Sequence, residues 1–207
     1  MIKKALIFDL DDTIYPIKSI ADKLFADLYA LIRENMTDTV YQNAKEDLLT
    51  MPFQKVADRY HFSNNLKNEG MKISRETVFD GEMLPFEDYL PLRDLQIEKF
   101  LVTAGYTKTQ KSKIKLLDLK EDFREIFIPD PAKSDLTKKD IFEQIMVKYQ
   151  YGPGEILVIG DNPEAEIADA KELGIETYLY DYQQKYSPAL ADYYGVNYEN
   201  LPEILKS

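Results

Sequence analysis

The chain contains no cysteine, and this absence excludes several kinds of chemistry at once. Disulfide bonds, thiolate metal sites and cysteine nucleophiles all require that residue. The chain also lacks an apolar run of the roughly 20 residues that a membrane span needs. The apolar run 5–8 is too short for a signal-peptide core, and acidic residues follow it. We therefore expect a cytoplasmic protein with no membrane partner, whose chemistry depends on carboxylates, hydroxyls and amines.

Positive charge is scarce relative to negative charge. The sequence has 26 lysine and arginine residues against 37 aspartate and glutamate residues, and its net charge is −11. Because nucleic acids are bound by clusters of basic residues, we expect no nucleic-acid partner. Small phosphates are not excluded, since a metal ion and one or two lysines can reverse the sign of the local field.

Short apolar segments predict a parallel sheet buried on both faces. Their hydrophobicity is continuous rather than alternating, as is typical of strands covered on both sides. Helical patterns separate the last four of them, so we predict an α/β fold with a doubly wound, Rossmann-like parallel sheet of about five strands. The predicted strands are 5–8, 100–103, 126–128, 156–159 and 176–179.

Two of the intervening helices have recognisable ends. The first spans 107–117, with Thr107 and Gln110 at the spacing of a capping box and Ile114 and Leu117 on its apolar face. The second spans 163–173, where Pro163 would occupy the first helical position and Gly174 would follow the end.

The interval between the first two strands predicts a helical insert. Apolar positions recur there at helical spacing, first over residues 21–32 and again over 52–60. We therefore predict a core made of residues 1–17 and 96–207, and a helical cap made of residues 18–95. The tyrosine-rich segment 178–198 is interpreted as packing or an association surface.

Acidic residues follow two of the predicted strands directly. Asp9 and Asp11 come after the first strand and Asp161 after the fourth. Ligands of open parallel sheets bind outside the carboxyl ends of the strands, where the winding reverses, so these acids converge if the two strands flank that point. Three carboxylates suit Mg²⁺. The alternatives are an exposed acidic turn after the first strand and a helix N-cap role for Asp161.

The motifs resemble those of the haloacid dehalogenase-like superfamily. Its first motif, Asp-x-Asp-x-Thr after an apolar strand, is matched by Asp9, Asp11 and Thr13. Its second, an apolar strand that ends in Thr or Ser, is matched by Thr103. Its fourth, Gly-Asp followed by a further acid, is matched at Asp161. The family's insert between the first two motifs corresponds to the predicted helical stretch.

The resemblance implies a Mg²⁺-dependent phosphatase that acts on a small phosphorylated metabolite. Asp9 would attack phosphorus and form an aspartyl phosphate, and Asp11 would act as general acid and then as general base. The metal ligands would be Asp9, Asp11 through its backbone carbonyl, and Asp161. Residues implied in phosphate or substrate binding are Thr13, Thr103, Ala104 and a lysine.

Two positions depart from the family pattern. The further acid is Glu166, expected to support the metal ligands, with Glu164 as a second candidate. The lysine of the third motif has three candidates, Lys133, Lys138 and Lys139. We predict Lys138, because it precedes Phe142 by one helical turn and so points to the core side, whereas Lys139 is rotated by about 100°.

Other functions remain open from the sequence. A phosphomutase would use the same acids, and a receiver-like signalling module would also accept phosphate on an aspartate. A dehalogenase needs neither the second acid nor the metal, so Asp11 disfavours it. The identity of the substrate and the oligomeric state are not determined by these motifs.

Overall fold

The centre of the molecule is a six-stranded sheet, seen in a computed structural model that describes residues 2–206. All pairings between neighbouring strands are parallel. The strand order is β3-β2-β1-β4-β5-β6, which confirms the predicted α/β class. The strands are β1 Ala5–Phe8, β2 Glu98–Val102, β3 Glu125–Phe127, β4 Ile156–Gly160, β5 Glu176–Tyr180 and β6 Tyr193–Gly195.

The winding of the chain reverses between β1 and β4. From β1 the chain moves outward through β2 to β3, and it then returns to β4 on the other side of β1. Phe8 pairs with Leu101 on one side and with Ile159 on the other. The carboxyl ends of β1 and β4 are therefore neighbours at the reversal, as the sequence argument requires.

Helices cover both faces of the sheet, because alternate residues of each strand point to opposite sides. Leu6 and Phe8 join an apolar cluster with Ile114 and Leu201, whereas Ala5 and Ile7 pack with Phe142 and Ala170. The helices are α1 Ala21–Leu24, α2 Ala26–Asn35, α3 Asp38–Asp47, α4 Phe53–Arg59, α5 Asn64–Glu76, α6 Thr107–Leu116, α7 Lys138–Tyr149, α8 Glu166–Glu172 and α9 Leu201–Ile204.

The first five helices form a helical insert, residues 21–76, between β1 and β2. An apolar cluster of their own extends from Leu28 to Leu66. The segment that follows returns to the sheet, since Tyr89 and Leu92 pack in the same cluster as Phe8. The division into a core and a cap, and its boundaries, stay predictions. No helix among residues 2–206 has the length and apolar character that would allow it to cross a membrane.

One strand was not predicted, and two local predictions were wrong. The tyrosine-rich segment supplies a sixth strand, β6, which pairs with β5. Thr107 forms no capping box, because its N–H and its hydroxyl both donate to the Asp130 carboxylate, at 2.9 and 2.6 Å, and Gln110 points into the site described below. Pro163 lies in a turn before α8, which begins at Glu166.

Candidate active site

The candidate site lies at the carboxyl ends of β1 and β4. Asp9 follows β1 directly and its N–H donates to the carbonyl oxygen of Ile159 in β4 at 3.0 Å. Asp161 follows β4 directly. The pairing of the two strands thus places both carboxylates at the point where the sheet changes direction, where open α/β sheets bind their ligands.

Asp9, Asp161 and Glu166 form a carboxylate cluster. One oxygen from each lies within 4.8 Å of the other two. Glu166 is 2% exposed and is fixed by the N–H of Asn162, which donates to Oε1 at 2.8 Å. A side chain at Gly160 would meet this carboxylate, because a Cβ there would lie 2.3 Å from Oε1. Glycine at that position therefore lets Glu166 approach β4.

Of the two candidate acids in this loop, Glu166 is the one at the site. Glu164 is exposed, and its N–H donates to the side chain of Asn162 at 3.0 Å. The side chain of Asn162 thereby shapes the turn that carries Glu166 back toward Asp161. Glu166, two residues further along the chain than Glu164, is the acid that is buried.

Lys138 contacts the carboxylate cluster. Its Nζ lies 2.9 Å from Asp9 Oδ1 and 2.8 Å from Glu166 Oε2. Thr137 caps the helix that carries it, with a reciprocal capping box to Asp140. Lys138 therefore points to the core side of α7, which was the reason for choosing it from the sequence. Its role in binding phosphate stays a prediction. Lys139 pairs with Glu172 at the surface, and Lys133 donates to Thr107 at 2.6 Å.

The cluster holds more negative charge than one lysine balances. Burial, with repulsion from Glu166 and Asp11 and despite the attraction of Lys138, raises the pKa of Asp9 to about 7. Burial, followed by repulsion from Glu166 and Asp9, raises the pKa of Asp161 well above its usual value. Burial alone would lower the pKa of Lys138, but the two carboxylates that it contacts raise it. A further positive charge would stabilise the ionised cluster.

The donor set fits a hard divalent cation. The oxygens that converge belong to carboxylates, which are the preferred ligands of Mg²⁺. The cluster adds Glu166 to the two predicted carboxylates, and the carboxylate of Asp11, for which the prediction named the backbone carbonyl instead, is not part of it. The ligand set therefore stays a prediction, with Asp9 and Asp161 as the two predicted carboxylates that the fold brings together.

The carboxylate of Asp11 is bound instead by three donors that the sequence analysis missed. Lys113 Nζ lies 2.7 Å from Oδ1 and 2.9 Å from Oδ2, and Gln110 Nε2 donates to Oδ2 at 3.2 Å. The hydroxyl of Tyr15 donates to Oδ1. Burial would raise the pKa of Asp11, but Lys113 and these hydrogen bonds lower it below its usual value.

A signal for two of these donors was present in the sequence. Gln110 and Lys113 each lie four residues before one of the predicted apolar positions Ile114 and Leu117, so they share the buried face of α6. Both are 3% exposed. Polar residues on the buried face of a helix next to a predicted site are candidates for that site.

The remaining predicted residues have different environments. Thr103 is 1% exposed, and its hydroxyl accepts a hydrogen bond from Gln110 at 2.5 Å. Thr13 is fully buried; its carbonyl oxygen accepts from the hydroxyl of Tyr198 at 2.7 Å. Ala104 is exposed and lines the cleft described next. The structure therefore brings Ala104 to the open space, while the side chains of both threonines face the protein interior.

A cleft of about 690 Å³ connects the sheet edge with the helical insert. Asp9, Asp11 and Asp161 lie on its sheet side. Its opposite wall comes from the helical insert and is mostly apolar, with Phe25, Leu28, Leu49, Met51 and Phe53 among the lining residues. A small molecule bound here would have its charged end at the acids and its other end against the helical insert.

Comparison with known proteins agrees with this arrangement. The family model for haloacid dehalogenase-like hydrolases matches residues 6–180. Curated relatives include glyceraldehyde 3-phosphate phosphatases of Methanopyrus kandleri and Pyrococcus furiosus. Each is 24% identical; the matches cover 84% and 98% of this chain and 82% and 93% of the relatives.

Solved structures share the fold. A magnesium-bound putative hydrolase of the same family from Bacillus subtilis is 20% identical, with a TM-score of 0.69 and full coverage of both chains. A putative phosphatase from Clostridium difficile is 15% identical, with a TM-score of 0.76 and 99% coverage of both chains. The resemblance seen in the sequence motifs is therefore confirmed, and the chain belongs to the haloacid dehalogenase-like hydrolases.

Proposed function

We propose that this protein hydrolyses a small phosphate monoester, with Asp9 as the nucleophile and Mg²⁺ as the cofactor. The proposal rests on the buried carboxylate of Asp9 on the sheet side of the cleft. It lies beside Asp161, Glu166 and Lys138. Relatives named as phosphatases support the same reaction class.

Each chemical step has a residue to perform it. A carboxylate oxygen of Asp9 attacks phosphorus and the bond from phosphorus to the leaving oxygen breaks, which forms an aspartyl phosphate. Asp11 must carry a proton when the ester is bound; it gives that proton to the leaving oxygen and then takes one from water. That water attacks phosphorus, so inorganic phosphate leaves and the Asp9 carboxylate is restored. Lys138 binds phosphoryl oxygens and offsets their charge.

The metal would be held by Asp9 and Asp161, with the carbonyl oxygen of Asp11 and with Glu166 as a supporting acid. When bound, Mg²⁺ offsets the repulsion between an anionic nucleophile and an anionic phosphate. The raised pKa values of Asp9 and Asp161 describe the site without that charge. A phosphate group that enters the cleft therefore needs the cation or protonation of these acids.

The test is phosphate release from a panel of phosphorylated metabolites, including glyceraldehyde 3-phosphate, with and without Mg²⁺. We expect release that depends on Mg²⁺, and Asp9→Asn should lower it by at least about a thousandfold, because an amide is a poor nucleophile. The matched control is Asp38→Asn, since Asp38 is exposed at the start of α3, and it should retain wild-type activity.

Two results would contradict the proposal. Near-normal turnover by Asp9→Asn would remove Asp9 as nucleophile. Isomerisation of sugar phosphates without release of inorganic phosphate would identify a phosphomutase instead. A separate measurement addresses the metal: Mg²⁺ should raise the melting temperature of the wild type by mass action, and Asp161→Ala should abolish most of that rise.

A further inference from the structure

Lys113 is a buried lysine whose ion pair is with Asp11. Its side chain is 3% exposed. Among residues 2–206, the carboxylate within salt-bridge distance of its Nζ is that of Asp11. Burying an ammonium group is costly unless a partner compensates its charge. Separating Lys113 from Asp11 would leave that charge buried without a partner, so we expect the two side chains to stay together.

The helix that carries Lys113 is fixed by the segment that follows the helical insert. The Thr109 hydroxyl donates to the carbonyl oxygen of Thr77 at 2.8 Å. The N–H of Phe79 donates to the Ser112 hydroxyl at 2.9 Å. Because α6 is held at these points, the amine of Lys113 has a defined position, and Asp11 is held against it.

The four contacts on the Asp11 carboxylate differ in how easily they can be exchanged. The contact from Gln110 to Oδ2, at 3.2 Å, is the longest of the four. Gln110 Nε2 also donates to the hydroxyl of Thr103 at 2.5 Å and to the carbonyl oxygen of Ala104 at 3.4 Å. If Oδ2 turns to another group, Gln110 keeps these two partners and Lys113 keeps Oδ1 at 2.7 Å, so neither buried group is left unpaired.

We propose that Lys113 is the positioning residue for Asp11, and that Oδ2 is the oxygen that exchanges a proton with the leaving group. The proposal rests on the proposed phosphatase function. A carboxylate has about four lone-pair positions, and the four contacts on Asp11 occupy them. The leaving oxygen must replace one contact, and both groups that contact Oδ2 keep a partner when it does, since Gln110 retains Thr103 and Lys113 retains Oδ1.

The test uses two esters that differ in their need for a proton. Departure of an alkyl alcohol from ethyl phosphate needs protonation, whereas 4-nitrophenolate leaves 4-nitrophenyl phosphate without it. Lys113→Met should lower kcat on ethyl phosphate on the order of a hundredfold, with KM changed less than about threefold. On 4-nitrophenyl phosphate the same variant should lose less than about fivefold. Lys111→Met, on the exposed face of α6, is the matched control and should behave as wild type.

A double variant shows whether the effect passes through Asp11. Asp11→Asn should show the same selective loss, and Lys113→Met in that background should add less than about threefold. Equal losses on the two esters, or independent losses from the two changes, would overturn the proposal. If Lys113→Met does not fold, Lys113→Gln keeps a hydrogen-bond donor without the charge and permits the same comparison.

A crystal structure of Lys113→Met, or of Lys113→Gln, decides the point without activity. We expect the Asp11 carboxylate to leave hydrogen-bond distance of Tyr15 Oη. A carboxylate that stays on Tyr15 and Gln110 would show that Lys113 does not position it. Wild-type protein that hydrolyses neither ester would contradict the proposed function, while this structural result would still decide the role of Lys113.

Discussion

The carboxyl edge of the sheet and the helical insert bury opposite kinds of side chain. At the sheet edge, Asp9, Glu166 and Lys113 are all less than 9% exposed. Within residues 21–76, every one of which the structure describes, no charged side chain is buried. The insert is held by an apolar cluster, and its ion pairs lie at the surface.

This difference separates the source of stability from the source of chemistry. Apolar burial stabilises a region without imposing any reactivity. Buried carboxylates do the reverse, since desolvation and mutual repulsion make the ionised cluster unfavourable until a cation or a substrate compensates it. The edge of the sheet is therefore the expected place for activity, and the insert is the expected place for shape and access.

The largest effect, on the free energy of unfolding, should come from a substitution that creates a cavity in the apolar cluster of the helical insert. Ile32 is fully buried in its apolar cluster. Ile32→Ala should lower the free energy of unfolding by about 3 kcal/mol, from lost burial and an unfilled cavity. Urea denaturation followed by circular dichroism measures it. The control is Val147→Ala, at a side chain 81% exposed, which should change the value by less than about 0.5 kcal/mol. Comparable losses from the two changes would contradict a packed insert core.

The second effect concerns the lysine at the carboxylate cluster. Lys138→Ala should lower kcat/KM on the order of a hundredfold, because a cation in contact with the phosphoryl oxygens stabilises the transition state. Lys133→Ala and Lys139→Ala are the controls, and each should lose less than about tenfold, since both side chains pair at the surface. A large loss from either control would mean that the loop before α7 is assigned wrongly.

The third effect depends on pH and is measured on the metal-free protein. The pKa of Asp9 is raised from 3.8 to about 7. The folded state therefore holds this proton more tightly than the unfolded state, and stability is lost as pH rises from about 4 to about 7. Asp9→Asn carries no charge to desolvate. In EDTA it should melt at least about 2–4 °C above the wild type at pH 8, and the difference should shrink at pH 5. A difference that is independent of pH would show that Asp9 is not destabilised by its charge.

The smallest effect is expected at the surface of the insert. Lys67 and Asp58 form an ion pair at 2.5 Å, with side chains 30% and 68% exposed. Lys67→Met should change the free energy of unfolding by less than about 1 kcal/mol, because solvent screens the pair and its side chains lose entropy when they pair. Chemical denaturation in low and high salt measures it. A loss as large as that of Ile32→Ala would mean that charge, rather than apolar packing, stabilises the insert.

Much of the sheet was predictable because buried parallel strands leave a continuous apolar signal. Five of the six strands were predicted within about two residues. The sixth was missed because Tyr193–Gly195 has only one buried residue and contains mostly tyrosine, a pattern equally typical of packing. The capping box at Thr107 failed for a different reason, since its partner Asp130 is distant in sequence.

The sequence by itself determined that Asp9 and Asp161 would meet. Asp9 and Asp161 follow apolar strands directly, and strand pairing fixes their neighbourhood because chain direction and hydrogen bonding leave little freedom at a strand end. Only the tertiary structure decided which side chain each acid contacts. Lys113 and Gln110 reach Asp11 from a helix about a hundred residues away along the chain, and Glu166 rather than Glu164 joins the cluster because the close approach at Gly160 admits it. Such contacts depend on how α6 and α8 pack against the sheet; the spacing within a helix indicates its buried face but not the partner that each side chain contacts.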